Sequence, residues 1–345
     1  MLTQKYRPKT FSEVIGQDHI VKNLQESILK DSVHSCYMFS GPQGTGKTTV
    51  ARIFSKAINC LSKVKPCNDC DGCKRAEIIE INASSERGID MARKLGEIVM
   101  YSTKSKYRCV ILDESHALTK EAAQSLLKTI EEPPSKTVFI LCSTQPTKII
   151  QTIQSRAKRY TFKRVFGKSL LNYLHRICIS EKISIDDGTL WDVCSKSKGI
   201  LRDALTYLEM VRDSDSDATI LQSLGTIAYS EIKQLFEVLL VGSTNGALHF
   251  IEQIHNLQPD YNELYISLMQ AIYSTVLSKS GVENENQYGF KELENLSLPT
   301  LFDILALLRD EHRQNMYEGA LSEINFNLTM LKLKNMISVK KVNRI

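Results

Sequence analysis

The hydrophobic rhythm of the chain changes near residue 164. Before it, short apolar runs at 37–40, 78–81, 109–112 and 138–142 alternate with longer stretches of helical periodicity, such as 47–58. Short β-branched-rich runs separated by helices predict a parallel sheet covered on both faces. Residues 159–162 predict one more strand, at an edge. A helix from about 121 should stop at Glu131-Glu132-Pro133-Pro134, because proline cannot continue it. After 164 the strand signals end. Helical patterns at 169–179, 189–195 and 202–211 form a small unit, and the acidic run 213–217 marks a boundary. Further helices are expected at 232–241, 247–254, 264–276, 301–308 and 324–336, with a polar loop at 281–287 between the third and fourth. The predicted division is an α/β domain at 1–163, a small helical domain at 164–217 and a helical bundle at 218–345.

Composition narrows the class. With 345 residues, 42% hydrophobic and 24% charged, the chain has a globular composition and length for two or three domains. The net charge of +5 is compatible with a nucleic-acid partner without demanding one. No apolar run approaches the roughly 20 residues that span a bilayer, and the start Met-Leu-Thr-Gln-Lys is not a signal peptide. A membrane or secreted protein is therefore not expected.

Two motifs carry nucleotide chemistry. Gly41-Pro-Gln43-Gly44-Thr45-Gly46-Lys47-Thr48 follows a strand and opens a helix, the context of a phosphate-binding loop. Its backbone N–H groups, with Thr49 in the next position, suit phosphate oxygens; Lys47 reaches the β- and γ-phosphates of ATP, and Thr48 ligates Mg²⁺. Asp113-Glu114 ends an apolar strand at the edge where parallel sheets present ligands. Asp113 is predicted to hold Mg²⁺ through its water shell and Glu114 to orient or deprotonate the attacking water. With His116 the run also reads as a helicase box, but that class needs a second nucleotide-binding domain, and the helical second half has no place for one.

Nine cysteines fall into two groups. Cys36, Cys109, Cys142, Cys178 and Cys194 are scattered, mostly within apolar runs, as buried thiols in a reducing compartment would be. Cys60, Cys67, Cys70 and Cys73 are clustered in a module of about 60–76. Their spacing suits a closed tetrahedral Zn²⁺ site of structural type; the alternative is a reduced loop without metal.

The assembled motifs resemble the AAA+ clamp-loader ATPases, most closely the gamma/tau subunits of bacterial DNA polymerase III. The resemblance is carried by Lys5-Tyr-Arg-Pro through Ile15-Gly-Gln17, the phosphate loop, the cysteine cluster, Asp113-Glu-Ser-His116, Leu126 through Pro134, Ser155-Arg156 and Gly199-Ile-Leu-Arg202-Asp-Ala204. It implies an α/β AAA+ P-loop ATPase domain with an inserted zinc module, then a small helical lid and an all-α collar. It also assigns roles: Thr144 as sensor 1, Arg202 as sensor 2, Arg156 as the arginine finger of a neighbour's site, and Arg7 and Ile15 in the adenine pocket. The zinc module points to the bacterial type rather than to the replication factor C small subunits. The stretch Asn82 to Ile89 is closer to the latter; it precedes a helix to about Met100 that Ser84 or Ser85 is able to cap, and Arg87 and Ile89 are the DNA-tracking candidates. Late cations (Lys332, Lys334, Lys340, Lys341, Arg344) are expected at helix ends and in a frayed tail.

The family's finger motif is usually Ser-Arg-Cys, and here it is Ser155-Arg156-Ala157. The guanidinium that matters is retained. The chain also ends soon after the collar, so the polymerase- and helicase-binding functions of longer forms are expected to be absent. The implied function is the ATP-driven motor subunit of a sliding-clamp loader, with ATP, Mg²⁺ and Zn²⁺ as cofactors. Its partners would be primer–template DNA, the sliding clamp and the other subunits of a pentameric ring, in the cytoplasm of a bacterium or a phage-infected cell. The rivals are a non-hydrolysing DNA- and clamp-binding scaffold of the same ring, which typically loses the phosphate loop, and an AAA+ branch-migration motor, which carries a winged-helix C-terminus.

Overall fold

The computed structural model describes residues 1–213, 229–257, 259–282, 291–317 and 321–342. The acidic boundary run from 214 and the polar loop from 283 lie outside the described residues. So do Arg344 and the side chains of Lys340 and Lys341. The chain divides into two compact units, residues 1–165 with 200–203, and residues 166–199 with 204–345.

The first unit is built on five parallel strands: β1 (Cys36–Ser40), β2 (Ile78–Asn82), β3 (Arg108–Asp113), β4 (Thr137–Ser143) and β5 (Lys158–Thr161). Their order is β2-β3-β4-β1-β5, so the run at 159–162 is indeed an edge strand, beginning one residue earlier than expected. Helices α1 (Leu2–Lys5) and α2 (Asp18–Leu29) precede β1, and α3 (Lys47–Asn59), α4 (Asp71–Lys74), α5 (Ile89–Met100), α6 (Lys120–Glu131) and α7 (Gln151–Arg156) lie between the strands in sequence. The two-residue period of a strand sorts its side chains between two cores. Tyr37, Phe39, Cys109, Ile111, Val138 and Ile140 pack with residues of α2 and α3. Cys36, Met38, Val110, Leu112, Phe139 and Leu141 pack with α5, α6 and α7. Both faces are thus buried, which is why these strands read as continuous apolar runs.

Helix starts follow local chemistry. Thr119 accepts from the Ala122 N–H and caps α6, which ends before the prolines as expected. The expected capping of α5 by Ser84 or Ser85 is wrong. Asn82 instead closes a turn, its side chain accepting from Ser84 N at 2.9 Å and its carbonyl from Ser85 N at 3.1 Å, and α5 starts only after Gly88. That turn holds Ser84 and Ser85 three to four residues ahead of the N-cap position, which falls on Gly88, so neither hydroxyl oxygen stands where it would accept from the first helical N–H groups.

One buried cation was not legible. Arg108, 3% exposed, closes the C-terminus of α5 by donating to the carbonyls of Ile98, Val99 and Tyr101 at 2.8–3.0 Å, and pairs with Glu77 at 2.5 Å. Those carbonyls are the orphan acceptors at the end of any helix.

The second unit is helical throughout its described residues. Helices α8 (Gly167–Glu181), α9 (Asp187–Lys196) and α10 (Leu201–Arg212) are followed by helices at Tyr229–Leu240, Thr244–Asn256, Tyr261–Lys279, Lys291–Glu294, Leu298–Tyr317 and Ser322–Val342. The first three residues of α10 belong to the first unit. The later helices share one core that includes Leu235, Ile251, Leu268, Leu301, Phe326 and Met330. Lys334 is not at the end of its own helix. It is a buried cation that donates to the carbonyls of Val238, Leu239 and Gly242, at the end of another. Lys332 pairs with Glu311 at 2.5 Å. Among the described residues no helix is long and apolar enough to cross a membrane.

Replacing Arg108 by leucine should strand three carbonyls and Glu77. A loss of roughly 2 kcal/mol of local stability is expected, read as faster hydrogen exchange of the α5 amides. Unchanged protection would show that water serves those carbonyls equally well.

Candidate nucleotide site and cysteine cluster

The strand register assembles the site. β4 lies between β1 and β3, with Ser40 opposite Ser143 and Leu112 opposite Leu141. The C-terminal ends of these three strands therefore bring the glycine loop, Thr144 and Asp113-Glu114 to one edge. Gly41 N–H donates to Ser143 O at 3.2 Å, and Phe162 N–H donates to Ser40 O at 2.7 Å. Gly41 adopts φ +144°, and a Cβ there would sit 2.4 Å from the Phe162 carbonyl oxygen. Only glycine permits this approach. At Gly44, φ +71°, a Cβ would meet Ile200 Cγ2 at 2.5 Å and Arg202 Cβ at 3.3 Å, so residues 200–203 lie directly against the loop.

The loop opens α3 at Lys47. Lys47 is 5% exposed and donates to the carbonyls of Gly41 and Pro42 at 3.0 and 2.8 Å. Burial pulls its pKa down, against the opposing charges of Glu114 and Asp113. Thr48 Oγ1 donates to Asp113 Oδ2 at 2.9 Å, so the two oxygens expected to serve one Mg²⁺ are already together. Glu114 takes a left-handed backbone conformation, φ +47° and ψ 41°, with its N–H donating to Asp113 Oδ1 at 3.0 Å. A non-glycine residue held there costs on the order of 1–2 kcal/mol. Thr144 Oγ1 donates to Glu114 Oε2 at 3.2 Å.

Three cations share the field of this loop. Arg7 Nε donates to Thr49 Oγ1 at 3.1 Å. Burial lowers the Arg7 pKa first, then the like charges of Arg52 and Arg202, with Glu80 and Asp113 opposing. Arg202 also lowers that of Lys47. Arg202 thus repels both Arg7 and Lys47 around a glycine loop at a helix N-terminus, which suits a polyanion. Ile15 is half-buried two residues before Gln17. Gln17 is fully buried, its amide donating to Lys163 O at 2.7 Å and accepting from Lys163 N at 3.1 Å. It ties the amino-terminal segment to the chain leaving β5.

Arg156 and the DNA candidates stand elsewhere. Arg156 ends α7, pairs with Glu131 at 2.8 Å and donates to Thr152 O at 2.9 Å. It precedes Lys158, which pairs with Tyr37 near the start of β1, whereas Gly41 follows the end of β1. At 3.3 Å per residue the two strand ends lie on the order of 10 Å apart, and no contact joins Arg156 to its own phosphate loop. Arg87 is exposed and Ile89, half-buried, is the first residue of α5. Sequence reasoning gave no role to Ser143, and to His116 only a place in a helicase-like box. His116 Nδ1 lies 3.4 Å from Glu114 Oε2 and 3.3 Å from Ser143 Oγ. The signal was the polar pair Ser143-Thr144 at the end of an otherwise apolar strand.

The four clustered cysteines converge. Cys60 follows the end of α3, Cys73 lies in α4, and all four sulfurs are within 4.8 Å of one another. The separations Cys60–Cys67, Cys60–Cys70 and Cys67–Cys73 are 3.6, 3.8 and 3.9 Å. A tetrahedron with Zn–S of about 2.3 Å has edges of about 3.8 Å, so the donor set fits zinc. Backbone N–H groups of Leu61, Cys67 and Cys70 point at the sulfurs of Cys70, Cys60 and Cys67, each at 3.4 Å. Such donors stabilise thiolate. The N–H groups of Cys70 and Asp69 pull the Cys67 thiol down to about 6, while burial pushes Cys73 up to about 12. The other five cysteines are buried and free of disulfides.

Comparison with known proteins fits this geometry. Residues 16–166 match the family described as DNA polymerase III, delta subunit. The chain is 32% identical to DNA polymerase III subunit tau of Bacillus subtilis over 96% of its own length and 62% of that protein. It is 33% identical to the gamma/tau subunit of Mycoplasma genitalium, covering 96% and 56%. With the gamma subunit of Buchnera aphidicola (subspecies Baizongia pistaciae) it shares 28% identity over 97% of both chains. This chain is a homologue of the DNA polymerase III gamma/tau subunits. It spans just over half the length of the Bacillus and Mycoplasma relatives. Among solved structures, the RuvB Holliday junction branch migration motor of Thermotoga maritima superposes with a TM-score of 0.51 over 68% of this chain and 80% of that one, at 18% identity. At that identity the likeness speaks for the fold alone: a parallel five-stranded α/β unit with helices after it.

Protein of this gamma/tau homologue purified without chelator should contain about one zinc per chain. Cys70→Ser should lower metal content and the stability of the 60–76 module by roughly 2–4 kcal/mol, with little effect on ATP hydrolysis. Elemental analysis finding no metal would exclude the site.

Proposed function

We propose that this gamma/tau homologue is the ATP-hydrolysing motor subunit of a DNA sliding-clamp loader. The observation that carries the reading is the Thr48–Asp113 contact of 2.9 Å beneath an intact glycine loop, with Glu114 and Thr144 at the same strand edge. A non-hydrolysing scaffold has no use for that assembly. In the branch-migration alternative the carboxyl-terminal part carries a winged helix, and every described element beyond Phe166 here is a helix.

In this reading Gly41, Gln43, Gly44, Thr45, Gly46, Lys47, Thr48 and Thr49 hold the phosphates of ATP, and Arg7 and Ile15 border the adenine. Thr48 and Asp113 hold Mg²⁺, which screens the phosphate charge. Glu114 takes a proton from the attacking water, Thr144 holds that water and the γ-phosphate, and Arg202 ties nucleotide to the helices that follow. Residues 164–217 act as a lid and 218–345 as the collar of a pentameric ring. Arg156 completes a neighbour's site, which its distance from its own loop favours. Arg87 and Ile89 track the backbone of primer–template DNA, which stimulates hydrolysis and releases the closed clamp. The setting is the cytoplasm of a bacterium or a phage-infected cell.

Lys47→Ala should abolish ATP-dependent clamp loading while leaving the ring assembled. A ring that collapses while loading persists would reverse the assignment. Arg156→Ala should leave ATP binding to the single chain nearly unchanged and suppress DNA-stimulated hydrolysis in the ring. Fingers of this kind are worth roughly 10³–10⁵ in rate elsewhere, and less is expected where ring closure also limits turnover. Mixing the two variants tests the trans role: a Lys47→Ala subunit keeps Arg156 and should rescue a neighbour lacking it. Mixed rings no more active than either parent, with co-assembly demonstrated, would refute it.

A further inference from the structure

We propose that His116 is a positioning residue for Glu114, fixing one carboxylate oxygen so that the other is left to take the proton from water. The inference rests on reading Glu114 as the base of ATP hydrolysis.

The two oxygens of Glu114 are not equivalent. Oε2 receives the Thr144 hydroxyl at 3.2 Å and faces His116 Nδ1 at 3.4 Å. Oε1 makes no hydrogen bond to any described residue. Behind the histidine stands Ser143, fully buried, whose Oγ accepts from the Gln145 N–H at 3.0 Å and lies 3.3 Å from His116 Nδ1. The charge of Glu114 selects the tautomer. A bare Nδ1 would turn its lone pair toward a carboxylate oxygen, whereas a protonated Nδ1 donates to Ser143 and presents positive charge to Oε2. The proposal therefore places the proton on Nδ1.

The arrangement divides labour within one carboxylate. Thr144 donates to Oε2, the N–H edge of His116 faces the same oxygen at 3.4 Å, and Glu114 itself has a left-handed backbone. Oε1 then accepts the proton as the water oxygen bonds to the γ-phosphorus and the bond to the ADP oxygen breaks, leaving ADP and phosphate. Losing the histidine would let the carboxylate turn without removing the base. The cost should fall on the chemical step rather than on ATP binding.

Two measurements test this on the full chain. The first is the ¹⁵N spectrum of histidine-labelled protein in mildly alkaline solution, with His116 assigned by its loss in His116→Asn. A protonated Nδ1 is expected, and a bare Nδ1 with a protonated Nε2 overturns the proposal. The second is single-turnover hydrolysis under the assembly conditions in which the wild type turns over, alongside ATP affinity. His116→Ala should slow hydrolysis roughly 10- to 100-fold with affinity changed less than about 3-fold. His116→Asn, whose amide N–H stands near the place of Nδ1–H, should recover most of the rate, and His116→Gln should not. An alanine variant hydrolysing at the wild-type rate overturns the role of His116 and leaves Glu114 as the base. Equal losses in all three variants, with ATP affinity falling in parallel, mark a structural role and overturn it too. A wild type that binds ATP and hydrolyses none under any condition overturns the reading of Glu114 itself.

Discussion

The parallel pairing of β4 with β1 on one side and β3 on the other is the constraint on which the site depends. A parallel ladder puts the ends of neighbouring strands at one edge, and a one-residue slip would turn every side chain to the opposite face. Here the register is held by two dry cores, one on each face of the sheet, so slipping β4 would expose Val138 and Ile140 to the wrong neighbours. With the register fixed, the glycine loop after β1, Thr144 after β4 and Asp113-Glu114 after β3 have one place to meet. The Thr48–Asp113 and Thr144–Glu114 contacts follow from strand geometry before any ligand is considered.

Stability and chemistry are separated along the same elements. The cores hold the strands, while the polar groups at the C-terminal edge carry costs that packing must offset. These are a left-handed Glu114, a buried Lys47 whose pKa burial lowers, and the repulsion of Arg7 and Lys47 by Arg202. A triphosphate with its magnesium relieves the last two, because it brings negative charge to the cations and acceptors to the lysine. Such unfavourable local choices are expected where function overrides folding. The cysteine cluster lies apart, between α3 and β2.

The central strands β1, β3 and β4 were legible because burial on both faces leaves unbroken apolar runs, and the end of α6 because Pro133 punctuates it. The phosphate loop and the four cysteines were legible because their chemistry demands contiguous spacing. Gln17 and Lys334 were not, since each meets backbone groups distant in sequence, and neither was Arg108, which turns back on the end of the preceding helix, where no sequence signal marks the partner. Ser84 and Ser85 misled because an Asx turn at Asn82 and a helix cap use the same residue types. The contact of His116 with Glu114 and Ser143 needed the register of β3 against β4, which no single-strand pattern contains.

The central claim is that this strand edge binds ATP and that Glu114 is the base that hydrolyses it. Glu114→Gln keeps the size and the hydrogen-bonding oxygen of the side chain and removes its basicity. The direct measurement is ATP affinity beside single-turnover hydrolysis for that variant. The account predicts affinity within about 3-fold of wild type and hydrolysis reduced roughly 10²- to 10⁴-fold. Hydrolysis at the wild-type rate with ATP bound would contradict it.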